Sequence, residues 1–250
     1  MEPMSDVGGA PSSAATQDVA SVHSACFAGT GSGATRAAVV LAGGRSERFG
    51  SDKTRALVDG VPLLERVTRV VGEVVPPVDE VLVVGPWAPD GVRNVVEPDR
   101  FGGPLAALAF ALGQVTAPVV LVLAADHPRL RPALLALVLD RLASDPDADA
   151  VVPVRDDRRE PLVAAYRRSV ADVADSVLAG PRASLNALLD SIAVVEVMEH
   201  EWRHVDRDGD SFRDVDTPDD LATSPKRGSA SLDEVLGDGA AGTFGRVDDE

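Results

Sequence analysis

Gly43, Gly44, Ser46, Arg48 and Lys53 fall in one short stretch, Leu41-Ala42-Gly43-Gly44-Arg45-Ser46-Glu47-Arg48-Phe49-Gly50-Ser51-Asp52-Lys53. Two adjacent glycines let a chain turn tightly and bring backbone N–H groups close to an anion, where a side chain would intrude. Ser46 adds a hydroxyl, Arg48 a fixed positive charge and Lys53 a mobile one, so the stretch has the makings of a phosphate cradle. It is not a P-loop, because no Gly-Lys-Ser/Thr follows the glycines, and its spacing is not that of a dinucleotide fingerprint. The lysine is set apart by composition: the chain has two lysines, Lys53 and Lys226, against twenty-two arginines. An ammonium is a compact charge able to follow a moving phosphate, whereas a guanidinium is a planar fork. The plainer alternative is a surface lysine.

Carboxylates supply the second half of the chemistry. The apolar run 119–125 ends in Asp126-His127-Pro128. A carboxylate at the end of a buried strand can hold Mg²⁺, which takes one or two carboxylates together with substrate phosphates. The same aspartate could instead cap the helix that follows. Asp216 lies in Arg213-Asp214-Val215-Asp216-Thr217-Pro218-Asp219-Asp220-Leu221, where Asp216 or Thr217 could likewise serve only as a cap. In Glu97-Pro98-Asp99-Arg100-Phe101-Gly102-Gly103-Pro104, glycines before a proline-initiated helix leave room for a flat base or sugar. A carboxylate there could accept paired hydrogen bonds from a guanine edge, which cytosine cannot donate in that pattern. An ordinary polar loop is the alternative. Arg182, before Ser184-Leu185, is either a bidentate clamp for an acceptor phosphate or a solvated arginine at a helix start.

The stretch 41–53 resembles the signature of the nucleotidyltransferases related to molybdenum cofactor guanylyltransferase, L-A-G-G-x-S-x-R-[MF]-G-x-D-K, and matches every fixed position. The likeness runs from about residue 37 to about 221. It continues through the Gly-Pro-Leu-Ala helix start, with Ala107 in place of a glycine. It returns in Pro161-Leu162-Val163-Ala164-Ala165-Tyr166, in Arg182 with an inserted alanine after it, and in the closing Asp-Val-Asp-Thr-Pro segment. The resemblance implies nucleotide binding at Leu41, Ala42, Gly43, Gly44, Ser46, Lys53, Asp99, Gly103 and Asp126. It implies catalytic roles for Arg48, Lys53 and Asp126, metal binding at Asp126 and Asp216, and acceptor contact at Arg182 and Tyr166. The activity implied is transfer of GMP from GTP to the terminal phosphate of molybdopterin, with Mg²⁺ as cofactor and contact with molybdoenzyme maturation proteins. Aspartates at 214 and 216, where guanylyltransferases of this type often have asparagine, are common in cytidylyl-transferring relatives and keep that activity open. A nucleotide-binding regulator without turnover is the alternative of another class.

Composition narrows the setting. A net charge of −16 and pI near 4.6 provide no basic stripe for nucleic acid. The single cysteine, Cys26, rules out a disulfide framework or a thiolate metal site, and a reducing cytoplasm fits. No apolar run reaches the length of a membrane span, and the first residues have neither the charge nor the apolar core of a signal peptide. Residues 1–35 read as a disordered tail, 36–224 as one nucleotidyltransferase domain, and 225–250 as a flexible acidic tail.

Between the tails, strand-like runs at 37–41, 80–84, 92–96, 119–124, 150–153 and 194–197 alternate with helical patterns at 62–75, 104–114, 132–142, 162–178 and 184–189. This alternation predicts a three-layer α/β/α sandwich with a Rossmann-like, mainly parallel sheet and its ligand at the strands' carboxyl ends. Two motifs are read as decoys. His200-Glu201-Trp202-Arg203-His204 matches the zinc-protease pattern, but the strand-like 193–198 before it and the Asp-Gly after it place it on a hairpin. Asp206-Arg207-Asp208-Gly209-Asp210 lacks the glycine and glutamate of a calcium loop and reads as an acidic hairpin tip. His127 is read as a loop residue.

Overall fold

The computed structural model describes residues 35–43, 52–98, 102–217 and 220. The alternation of apolar runs and helical stretches forms one sheet sandwiched between helices. In chain order the principal elements are β1 (Arg36–Leu41), β2 (Leu57–Val58), β3 (Val61–Pro62), α1 (Leu63–Gly72), β4 (Glu80–Val84), β5 (Arg93–Val95) and α2 (Pro104–Gln114). Next come β6 (Val119–Ala124), α3 (Pro132–Ser144), β7 (Ala150–Arg155), β8 (Arg158–Arg159) and β9 (Val163–Arg167). The last are α4 (Val170–Leu178), α5 (Leu185–Leu189), β10 (Val194–Val197) and α6 (Glu199–Trp202). The sheet runs β10-β7-β9-β6-β1-β4-β5, with β8 added on β7, and β2 and β3 form a separate hairpin. Pairing is parallel except where β9 lies antiparallel between β6 and β7, and where β8 folds back on β7.

Strand alternation builds two cores. Ala37, Val39 and Leu41 of β1 and Val120 and Val122 of β6 join the core that includes α2, α4 and α5. Ala38 and Val40, with Leu121 and Leu123, face the opposite core, beneath α1 and α3. Every β6 residue is buried, as expected for a central strand covered on both sides. The helix starts at Pro104 and Pro132 lie in first turns, where the missing N–H costs nothing.

One assignment changes. The stretch 162–178 is not a single helix: 163–167 is strand β9, and the helix begins at Val170. Val-Ala-Ala-Tyr-Arg has no strong strand pattern, but between β6 and β7 its residues Val163 to Tyr166 are buried. Tertiary pairing overrides the modest helix preference of its alanines. Among the described residues no helix is long and apolar enough to cross a membrane. Apart from Thr35, the tails expected at 1–35 and 225–250 lie outside the described residues.

Candidate functional site

The order of strands places β1 between β6 and β4, with α1 and α2 packed on opposite faces. The carboxyl ends of β1 and β6 therefore meet at a topological switch point, where α/β sheets open a crevice. Backbone bonds fix both strand ends there. Ala125 N donates to Leu41 O at 3.0 Å, and Ala42 N donates to Val84 O at 2.8 Å. Leu41 and Ala42 are buried, so they anchor the start of the glycine-rich stretch, and Gly43 emerges exposed. A side chain at Gly85 would collide with Ala42 Cβ at 2.7 Å, which explains a glycine after β4.

Lys53, which follows that stretch in sequence, opens a short 3-10 turn, Lys53–Arg55. Asp52 caps the turn, accepting from Thr54 N at 3.0 Å and from Thr54 Oγ1 at 2.6 Å. The half-buried Trp87 then donates from Nε1 to Thr54 Oγ1 at 2.7 Å, and the Arg55 guanidinium lies 4.4 Å from the Trp87 ring centroid. Lys53 Nζ is thereby aimed into the crevice. It donates to Asp126 Oδ2 at 3.0 Å and to Asp216 Oδ1 at 2.8 Å. Burial pulls the Lys53 pKa down, but the charge of Asp126 and hydrogen bonds to both carboxylates outweigh it, leaving it above its ordinary value.

Asp126 follows the end of β6. Asp216 is held by a separate set of contacts. Val215 N donates to Asp126 O at 3.0 Å, and the buried Val215 packs with Val58 and Leu63. The Asp220 carboxylate accepts from Asp216 N at 3.0 Å and from Thr217 N at 2.7 Å. Those bonds, the amide of Thr217 foremost, hold the Asp220 carboxyl below its usual range. The Asp216 side chain faces Lys53.

The donor set suits a small hard cation. Asp126 Oδ1 is buried and has no hydrogen-bond partner among the described residues, with His127 Nε2 3.6 Å away. Asp216 offers a second carboxylate. Among the described residues no group of three or more His, Cys, Asp or Glu side chains is arranged to hold a metal ion by itself. Two carboxylates with phosphate and water completing the shell is the arrangement Mg²⁺ commonly takes.

Gly103 precedes α2 with φ of +89°, a backbone conformation that favours glycine, and open space lies where a side chain would project. Gly44, Ser46, Arg48 and Asp99 lie outside the described residues. Arg182 is exposed in the turn before α5. Tyr166 is not available to an acceptor: it is fully buried in β9, its hydroxyl donating to Pro161 O at 2.9 Å, and burial drives its pKa up. Within the family-like Pro-Leu-Val-Ala-Ala-Tyr segment, Val163 to Tyr166 thus belong to a core strand.

The decoys resolve into packing. His200 lies in the single turn α6, not on a hairpin, with exposed His204 just beyond it. The helix is fixed by the buried Trp202, whose Nε1 donates to Val154 O at 2.8 Å. Asp206 is buried rather than at an acidic tip, accepting from Asp210 N at 3.0 Å and Ser211 N at 2.8 Å. His127 is also buried, its Nδ1 2.9 Å from Ser211 O. Sequence reasoning passed over Glu97 and Glu160. A side chain at Gly43 would meet Glu97 Oε2 at 3.4 Å, and burial raises the Glu97 pKa. Glu160 lines a cavity of about 380 Å³ beside His127.

Comparison with known proteins agrees with this geometry. The model of the MobA-like NTP transferase domain matches residues 38–195. A protein of Synechococcus elongatus named probable molybdenum cofactor guanylyltransferase is 34% identical over 179 residues, covering 66% of this chain and 90% of that one. A protein of the same name from Natronomonas pharaonis is 34% identical over 214 residues, 77% of this chain and 98% of its own. Among solved structures, molybdopterin-guanine dinucleotide biosynthesis protein A from Archaeoglobus fulgidus superposes with a TM-score of 0.62 at 25% identity, covering 74% of this chain and 95% of that one. The chain belongs to the MobA-like NTP transferase family and is a nucleotidyltransferase.

Proposed function

We propose that the protein transfers GMP from GTP to the terminal phosphate of molybdopterin and releases pyrophosphate, with Mg²⁺ as cofactor. The observation that carries this reading is Lys53 held between Asp126 and Asp216 at the switch point, beside the root of the glycine loop. Relatives named for guanylyl transfer to the molybdenum cofactor support the choice of substrates.

In this reading an acceptor phosphate oxygen attacks the α-phosphorus of GTP in line. A new O–P bond forms, the bond to the bridging oxygen breaks, and pyrophosphate leaves. A phosphate monoester is already nucleophilic at neutral pH, so the protein's part is positioning and charge stabilisation. Asp126 and Asp216 would hold Mg²⁺, which when bound neutralises charge on the phosphate oxygens. Lys53, seated within reach of both carboxylates, turns its ammonium to the triphosphate. The loop that starts at Gly43 brings its amides, Ser46 and Arg48 to the phosphates, and Asp99 reads the guanine edge. Gly103 leaves space for the nucleoside at the start of α2, and Arg182 clamps the acceptor. The single cysteine fits work in the cytoplasm.

Aspartate at both 214 and 216 favours a second reading, a cytidylyltransferase on the same scaffold. Pyrophosphate release with molybdopterin as acceptor, measured with GTP and with CTP, separates the two. GTP-dependent release is expected; release with CTP alone would overturn the guanylyl assignment.

A further inference from the structure

We propose that Glu160 determines acceptor specificity, its carboxylate receiving a pair of N–H donors from the edge of a fused 2-amino-4-oxo ring seated in the cavity beside Asp126. This rests on the acceptor assigned above. The cavity, about 380 Å³, is lined by His127, Arg155, Arg158, Glu160, Phe212 and Asp214, among others. It adjoins the reacting centre on two sides, since His127 follows Asp126 and Asp214 lies two residues before Asp216. Its size suits a bicyclic ring better than a whole nucleotide.

Glu160 is placed rigidly. Its amide donates to Pro153 O at 2.8 Å, its carbonyl accepts from Val163 N at 3.2 Å, and Leu162 O accepts from Ala124 N at 3.0 Å. The turn between β8 and β9 is therefore tied to β7 and to the end of β6. The side chain is half-buried, and desolvation raises its pKa against the opposing influence of His127 and Arg155. No described residue hydrogen-bonds or ion-pairs with its carboxylate. Arg155, which acts on it more strongly than Arg158, is directed elsewhere: Nη1 donates to Phe212 O at 2.9 Å, and Nε lies 3.2 Å from Asp156 Oδ2. A partly desolvated carboxylate without donors is costly, so a ligand that brings two N–H groups side by side is strongly favoured. A ring N–H next to an exocyclic amine, as in a pterin, has that pattern; a 2,4-dioxo ring, with a carbonyl in place of the amine, does not.

The test uses the full chain with Mg²⁺ and two fluorescent probes, pterin-6-carboxylate and lumazine-6-carboxylate, titrated against wild type, Glu160→Gln and Glu160→Asp. Wild type should bind the pterin roughly tenfold or more tightly than the lumazine, because a paired hydrogen bond to a charged acceptor is worth about that much. Glu160→Gln turns an amide donor toward the ligand's donors and should abolish the preference, while Glu160→Asp keeps part of it. Equal binding of the two probes by wild type, binding of neither, or a preference that survives in Glu160→Gln would each overturn the assignment. Melting curves establish that each variant is folded, and Glu160→Asp decides the matter should the glutamine variant not fold. Pyrophosphate release with molybdopterin separates the two claims. Release without a pterin preference refutes only the role of Glu160, whereas a preference without release refutes the transfer reaction and leaves Glu160 as a ring-recognition residue.

Discussion

Replacing Lys53 by methionine should improve cation binding to the nucleotide-free protein while nearly abolishing turnover. The ammonium lies 3.0 Å from Asp126 and 2.8 Å from Asp216, so it occupies the space between the two carboxylates that a divalent cation would use. At about 3 Å, one unit-charge interaction is worth about 1.4 kcal/mol in water and about 5.5 kcal/mol at an effective dielectric of 20. The side chain of Asp216 is 51% exposed and that of Asp126 33%, so the lower part of that range applies. Removing the competing charge should tighten Mg²⁺ binding by roughly tenfold to a hundredfold, each factor of ten being about 1.4 kcal/mol. Methionine nearly matches lysine in volume, so the turn at 53–55 should keep its shape. Without the ammonium, the charge on the triphosphate in the transition state loses a preorganised partner, at a cost of roughly 10²–10³ in turnover. Calorimetric titration with Mg²⁺ in the absence of nucleotide, together with pyrophosphate release, measures both effects. Unchanged Mg²⁺ affinity with wild-type turnover would refute the reasoning, because Lys53 would then neither compete for the carboxylates nor touch the phosphates.

Asp79 accepts from Arg36 N at 3.0 Å and Thr35 N at 2.8 Å, and those bonds hold its carboxyl below the usual carboxylate range. A depressed carboxyl contributes stability that is present above the unfolded value and lost as pH falls through the folded one. Asp79→Asn should therefore flatten the melting temperature's dependence on pH below about 4; an acid limb identical to wild type would count against it. Tyr166→Phe removes the hydrogen bond to Pro161 and should cost about 1 kcal/mol in denaturant unfolding with turnover unchanged, whereas a loss of acceptor affinity alone would restore the tyrosine to the binding site. Trp87→Phe removes the bond to Thr54 but keeps a ring under Arg55, so turnover should fall severalfold with a melting loss near 1 kcal/mol. Wild-type turnover would show that Lys53 needs no support from Trp87.

The sheet was legible because its strands carry their own signal. The β-branched runs at 37–41, 80–84 and 119–124 are long enough to stand out, and prolines mark the starts of α2 and α3. β9 was not legible, since Val-Ala-Ala-Tyr-Arg becomes a strand only by lying between two others. In the site, the residue types at 53, 126 and 216 pointed to phosphate and metal one by one. Their convergence did not, because Lys53 is 73 residues from Asp126 and 163 from Asp216. Only the switch point brings them together. The same distance hid Asp206, whose acidic neighbourhood looked solvated until its carboxylate was seen to hold the turn at 206–211. Glu160 gave no local sign either, because its significance comes from burial beside a histidine on another strand end.

The central claim is that Asp126 is the principal charge on which transfer depends, with Asp216 auxiliary. Asp126 follows a strand whose every residue is buried and carries a buried oxygen with no hydrogen-bond partner among the described residues, whereas the side chain of Asp216 is more exposed. Asparagine preserves size at either position but removes the charge. The decisive measurement is pyrophosphate release from GTP with molybdopterin over a Mg²⁺ titration, for Asp126→Asn and Asp216→Asn beside wild type. Asp126→Asn should lose roughly 10²–10³ in turnover, and Asp216→Asn distinctly less. Normal turnover by Asp126→Asn at low Mg²⁺ would contradict the account and place the reacting centre elsewhere.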